Sequence, residues 1–189
     1  RQYATWSTTN KSSSITLPAG FGNLKFQSTS GGSGTGITTI GITSTAYWEI
    51  TVNQTLTPTG SAPLTFAGIG TTFSSGNRVG VYSNSISYRA SAGSLSYCFL
   101  RNGVASGSGC TIDFVTNDVL GFAVDVPNLT FKFFINNVQR GATQTLPVGD
   151  TWYAVCSADG TLGDGGTANF GASPFVYSAP SGYNSGIYI

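Results

Sequence analysis

Between Val119 and Asn137 the chain repeats with a period of two. Leu129, Phe131, Phe133 and Ile135 alternate with Thr130, Lys132, Phe134 and Asn136, so one side of this segment is wholly apolar. Successive strand side chains point to opposite faces, so the spacing requires a β-strand buried along one face. The run Val119-Leu120-Gly121-Phe122-Ala123-Val124 reads as its hairpin partner. Asp125-Val126-Pro127-Asn128 joins the two, with Pro127 and Asn128 supplying turn chemistry. Asn136-Asn137 makes the next tight turn, because Asn tolerates positive φ.

Helical periodicity is absent from the rest of the chain. Turn signals recur about every ten residues between short β-branched and aromatic runs, the pattern of an all-β sandwich or barrel. Strands are expected at Ser14 to Leu17, Asn23 to Gln27, Tyr47 to Val52, Leu64 to Ile69, Arg78 to Tyr82, Ser85 to Arg89, Leu95 to Arg101, Thr111 to Phe114, Val119 to Asp125, Thr130 to Ile135, Thr151 to Ser157 and Thr167 to Phe170. The Gly-rich stretch from Gly31 to Gly36 reads as a flexible surface loop, and Asp159 to Gly166 as a hairpin connection. No repeat is visible, and 189 residues suffice for one domain with a real core, taken as residues 1–189.

Charged residues make up only 8% of the chain, far below the roughly 25% usual for soluble domains. Its surface must be made polar by Ser, Thr, Asn and Gly, a composition that suits virion, cell-wall and extracellular proteins. The net charge is +1, with no basic stripe to neutralise phosphates, so no nucleic-acid partner is expected. No apolar run approaches membrane-spanning length, and membrane insertion is not expected. No signal peptide is visible. The chain starts at Arg1 and lacks Met, which reads as a processed or trimmed product or part of something longer.

Catalytic and metal chemistry find little to work with. There is no His, so Ser–His–Asp and Cys–His sites are excluded. Glycoside hydrolysis uses two placed carboxylates, and Glu49 is the sole Glu. Cys98, Cys110 and Cys156 read as small buried thiols, with a Cys98–Cys110 bridge across a hairpin as the alternative. Without a C-x-x-C or a His, no zinc site and no cofactor are expected. Asp159 and Asp164 read as a solvated turn rather than a Ca²⁺ loop. Asn10, Asn53 and Asn128 head N-x-[ST] sequons at about the frequency chance supplies.

Seven segments, in order, resemble the SPRY (B30.2-type) domain. Ala46-Tyr47-Trp48-Glu49-Ile50 is similar to the family's aromatic-Trp-Glu strand, and Ala67-Gly68-Ile69-Gly70 and Val79-Gly80-Val81-Tyr82 to its next two. Asn117 to Asp125 resembles the Gly-Asp-x-Ile-Gly-x-x-x-Asp strand, and Leu129 to Asn137 the Leu-x-Phe-x-x-Asn-Gly strand and turn. Tyr153-Ala154-Val155 falls where the family has Pro-Ala-Val. Asn169-Phe170-Gly171 and Pro174-Phe175 match its closing Asn-Phe-Gly-x-x-Pro-Phe. The likeness is strongest over residues 46–183. Asn137, Tyr153 and Asn117 depart from the pattern at a turn Gly, a Pro and a Gly.

The resemblance implies an all-β sandwich of two antiparallel sheets, similar to concanavalin A-like jelly rolls, with a ligand surface made of loops at one end. Trp48 should then fill the core, Glu49 point outward or pair locally, Gly121 admit a close neighbour, Phe170 bury and Gly171 turn. The Ser/Thr-rich opening from Ala4 to Leu17 also resembles SPRY-type virion proteins of tailed bacteriophages. A non-catalytic binding module on the outside of a virion follows, in a tail fibre or receptor-binding protein that recognises a host surface glycan or protein. The alternatives are a capsid decoration or head-fibre protein contacting other virion proteins, and a cellular SPRY adaptor; a homo-oligomer fits either virion role. For the ligand rim the expected residues are Phe73, Arg78, Tyr82, Tyr88, Arg89 and Arg101, because Arg and aromatic side chains dominate binding hot spots.

Overall fold

In a computed structural model the described residues are 1–29, 33–54, 64–90, 99–106, 114–148, 151–158 and 163–189; of these, 54, 64–66, 89–90, 106 and 158 are described by backbone only. They form strands and turns without a helix. The strands are β1 (Trp6–Lys11), β2 (Ile15–Thr16), β3 (Lys25–Ser28), β4 (Gly34–Thr38), β5 (Thr45–Gln54), β6 (Leu64–Gly70), β7 (Ser85–Ala90) and β8 (Phe99–Arg101). They continue as β9 (Val104–Ser106), β10 (Val119–Asp125), β11 (Thr130–Ile135), β12 (Val138–Gln139), β13 (Gln144–Thr145), β14 (Tyr153–Ala158) and β15 (Gly165–Asn169).

Two antiparallel sheets face each other. One has the order β1-β4-β14-β6-β7-β8-β9 and the other β12-β11-β10-β5-β15-β3-β2, with β13 added beside β11. The alternation read in the sequence is the alternation observed. On β11, Phe131, Phe133 and Ile135 are buried while Thr130, Lys132 and Phe134 are partly exposed. Across it, Phe122 and Leu120 of β10 sit opposite Phe133 and Ile135. Trp48 is fully buried and stacks on Phe122 at 5.2 Å. Tyr88 from the first sheet stacks on Phe133 from the second at 4.1 Å, closing the space between layers. Trp6 meets Phe26 and Phe170 edge-on, at 5.5 and 5.0 Å.

The turns behave as their residues require. Asp125 accepts hydrogen bonds from the Asn128 backbone and side-chain amides, fixing the β10–β11 turn. Asn136 and Asn137 both take positive φ, 48° and 66°. Gly121 lies under Tyr47: a Cβ there would stand 2.7 Å from the Tyr47 hydroxyl.

Several expectations need correction. Residues 30–32 lie outside the described set, but Gly34 to Thr38 is strand β4, inside the first sheet and buried along its length. Its glycines reflect close packing: a Cβ on Gly34 would collide with the Ser12 side chain, and one on Gly36 would press on Lys11 and the Cys156 sulfur. Asp159 to Gly166 is no hairpin connection, because β14 and β15 belong to different sheets; residues 159–162 lie outside the described set. Asp164 is not solvated but 4% exposed. Arg78 to Tyr82 is a turn segment, not a strand. Phe114 is not in a strand either, and residues 95–98 and 111–113 lie outside the described set, with Cys98 and Cys110 among 91–98 and 107–113.

Candidate functional site

Each sheet has an outer face, and a segment of the chain lies over part of each. On the first sheet that face carries small residues, Gly68 and Gly70 of β6, Ser85 and Ser87 of β7 and Ser157 of β14, beside Ile37, Val155 and Tyr153. Residues 71–84 lie over it. Val79 is fully buried against Ile37 and Val155, and Phe73 packs on the same cluster. Hydrogen bonds staple the segment down: Val79 N–H donates to Ser157 Oγ at 3.1 Å, Ser87 Oγ–H to the Val79 carbonyl at 3.0 Å, and Gly80 N–H to Ser85 Oγ at 2.9 Å. Ser74 N–H donates to Thr35 Oγ1 at 2.6 Å. Small side chains on the sheet let the backbone of this segment approach closely enough to make these bonds.

The second sheet is roofed by the C-terminal segment, and Glu49 is its anchor. Glu49 lies on the outer side of β5 and is 2% exposed. Its Oε2 accepts from Val176 N–H at 2.8 Å; its Oε1 accepts from Tyr177 N–H at 2.8 Å and from the Tyr47 hydroxyl at 3.1 Å. A buried carboxylate is tolerated because these donors replace water. Burial, and then the adjoining Glu49 charge, push the Tyr47 phenol above its ordinary value, so it stays a donor. Asn169 explains the closing motif: its Oδ1 accepts from Gly171 N–H, and its Nδ2 donates to the Ser173 and Pro174 carbonyls. Phe175 then meets Tyr47 edge-on at 5.1 Å. Gly171 and Gly186, with φ of 102° and 126°, cross back to back, so residues 172–185 leave and return at one point like an Ω-loop.

The strand registers place the strand ends. Strands β3, β5, β7, β9, β11 and β14 end, and β4, β6, β8, β10 and β15 begin, at the same end of the sandwich. The strand ends flanking residues 30–32, 55–63, 91–98, 107–113 and 159–162 therefore all lie there. The 114–118 and 136–137 turns share that end, tied by Asn136 Nδ2–H donating to Asp118 Oδ1 at 2.7 Å. Val115 and Val138 beside them are 54% and 52% exposed. The roof over the first sheet reaches toward this end, since Thr35 and Ser157, which bind Ser74 and Val79, stand one residue from the ends of β4 and β14.

Of the six expected rim residues, the structure groups three. Phe73, Arg78 and Tyr82 belong to the 71–84 segment and are each partly exposed. Tyr82 donates from its hydroxyl to the Thr72 carbonyl at 2.8 Å, and burial pushes its phenol up. Tyr88 is a correction: at 2% exposure, stacked between the layers, it is a core residue and cannot line a rim. Arg101 pairs with Ile86, so it projects on the inward side at the opposite end, away from the 71–84 tip. Arg89 lies on β7 opposite Thr65, and its side chain lies outside the described residues. Among the described residues no three His, Cys, Asp or Glu side chains gather to hold a metal ion. Cys156 is buried and free, with its thiol pushed up by burial.

The sequence did not point to a concavity, of about 620 Å³, between Arg1 and Tyr3 on one side and the Ω-loop on the other. It is built from residues far apart in sequence, Arg1 and Tyr3 against Gly171 to Ala179 and Ser185, a pairing that no local pattern carries.

No protein-family model matches the sequence, and no curated protein matches it. Solved structures do. The SPRY domain of human HERC1 is 16% identical with a TM-score of 0.66, the match covering 86% of this chain and 96% of that one. Stonustoxin is 17% identical with a TM-score of 0.58, over 88% of this chain and 26% of that one. At such identity the likeness concerns the backbone, and with two antiparallel sheets in the observed order it establishes that this chain has the SPRY-type, concanavalin A-like β-sandwich fold.

Proposed function

We propose that the chain is a non-catalytic binding module displayed on the outside of a bacteriophage particle, in a tail fibre or receptor-binding protein that recognises a host surface glycan or protein. The observation that carries this reading is the distribution of connections. A segment of the chain covers the middle of each outer sheet face, while one end collects the strand ends of both sheets next to the Phe73–Arg78 tip. Loops on a rigid scaffold are the usual place for recognition. The low charge supports a particle surface, and the use of the sole Glu to hold backbone amides supports a binding rather than an acid–base role.

Competition for attachment tests the reading. Purified domain added in excess to host bacteria should lower particle adsorption in proportion to the sites it occupies. Unchanged adsorption at saturating domain overturns it, and binding to empty heads instead would assign the chain to a capsid.

A further inference from the structure

We infer that the concavity beside the Ω-loop is a second binding site, for a short neutral saccharide, independent of the loop-bearing end. Its volume, about 620 Å³, falls within the ~300–1,000 Å³ range of small-ligand sites. It lies near Gly171 and Ser185, where β15 and the C-terminal segment meet, at the end of the sandwich opposite the connections. One wall is Tyr3, which precedes β1 and bridges Tyr188, to whose ring it stands edge-on at 5.5 Å. The other is the stretch from Gly171 to Ala179, which brings Ser173, Tyr177 and Ser178 to the lining.

Three properties define the ligand. First, the walls are preorganised: Glu49 holds the Val176 and Tyr177 amides, and Asn169 holds Gly171, Ser173 and Pro174. A wall fixed before binding loses little entropy when a ligand arrives. Second, those same bonds consume the Gly171, Val176 and Tyr177 N–H groups and Pro174 has none, which breaks the row of donors that strand addition uses. Side chains therefore carry much of the recognition. Third, the uncharged polar side chains of the lining are hydroxyls and phenols, Ser173, Ser178 and Ser185 with Tyr3 and Tyr177, set among apolar Pro174, Phe175 and Val176. The lining has no carboxylate, and its one charged side chain, Arg1, has its guanidinium 4.3 Å over the Tyr188 ring. Rings that present an apolar face and a polar tip, between hydroxyls that donate and accept, match the alternating C–H and O–H surface of an uncharged sugar.

Calorimetric titration with cellotetraose, maltotetraose and chitotetraose tests the site and separates glucose-type from N-acetylglucosamine-type ligands. At least one should bind the intact domain. Tyr177→Ala should weaken it at least tenfold, and Ala172→Trp, an exposed position that places an indole in the groove, should abolish it. Asn77→Trp, on the exposed tip at the far end, should leave sugar affinity unchanged. Absence of binding by all three sugars overturns the site, as does binding that survives Ala172→Trp. Neither result touches the recognition surface proposed above: a domain that blocks adsorption yet binds no sugar sinks the groove alone, and one that binds sugar but never blocks adsorption sinks the other.

Discussion

Removing the Glu49 carboxylate should loosen the C-terminal roof by an amount that depends on the replacement. In Glu49→Gln, the amide oxygen can stay at the Oε1 position and keep Tyr177 N–H and the Tyr47 hydroxyl. The amide nitrogen then faces Val176 N–H, donor against donor, at a 2.8 Å contact. One partly buried N–H loses its acceptor, and because Val176 itself is exposed the cost is about 1 kcal/mol, the low end for an orphaned group. In Glu49→Ala all three donors lose their acceptor, and roughly 3–5 kcal/mol is expected after the loop relaxes toward water. For a chain of this size a kilocalorie moves Tm by about 2–4 °C, so the glutamine variant should melt about 2–4 °C lower and the alanine variant about 6–20 °C lower. Urea unfolding gives the free energies, and hydrogen exchange at Val176 and Tyr177 gives the location. A glutamine variant within half a kilocalorie (about 0.5 kcal/mol) of the parent, with both amides still protected, would refute the anchor.

Two further predictions follow from the buried ionisable groups. Burial raises the Cys156 thiol, so at pH 8 the folded protein should leave Cys156 unlabelled by iodoacetamide, as read by peptide mass spectrometry, and urea should expose it; rapid labelling of the native chain would contradict its place. The Tyr82 phenol is likewise raised, so the folded state favours its neutral form; stability from this group is complete below the unfolded value near 10 and declines as pH rises past it. Tyr82→Phe should cost about 0.5–1.5 kcal/mol at pH 8 for the lost bond to Thr72 and should flatten the decline measured between pH 9 and 11.

How much of this could be read in the sequence depended on whether side chains carried the signal. Val119–Asp125 and Thr130–Ile135 were legible to the residue, because large apolar and polar side chains alternate there. Strand β4 was not: Gly34 and Gly36 are small because Ser12, Lys11 and Cys156 crowd them, and composition alone makes such a strand look like a linker. Strand β1 escaped notice because its Ser/Thr run is an edge, with its register to β4 interrupted between Trp6 and Lys11. Val79 and Val81 mimic strand alternation, yet Val79 is buried as part of a roof. The SPRY-like motifs located the core and the Glu49 strand, and only a few of their residues reach the candidate surfaces, Tyr82, Asp118 and Asn136 at one end and Gly171, Pro174 and Phe175 in the groove. Tyr88 could have been withheld from the rim, since it sits two residues from Ile86 on a strand that buries both.

The central claim is that recognition belongs to the end where the connections gather. Fluorescent domain titrated onto host bacteria measures it directly, with Arg78→Ala, Asn77→Trp and Val138→Glu compared against the parent. An Arg in a binding hot spot contributes about 2 kcal/mol or more, so Arg78→Ala should weaken attachment by roughly tenfold or more while the melting temperature of each variant holds. Asn77→Trp and Val138→Glu, both at exposed positions, should weaken it as well. Attachment that is equally tight in all three variants, or absent in the parent, would contradict the account.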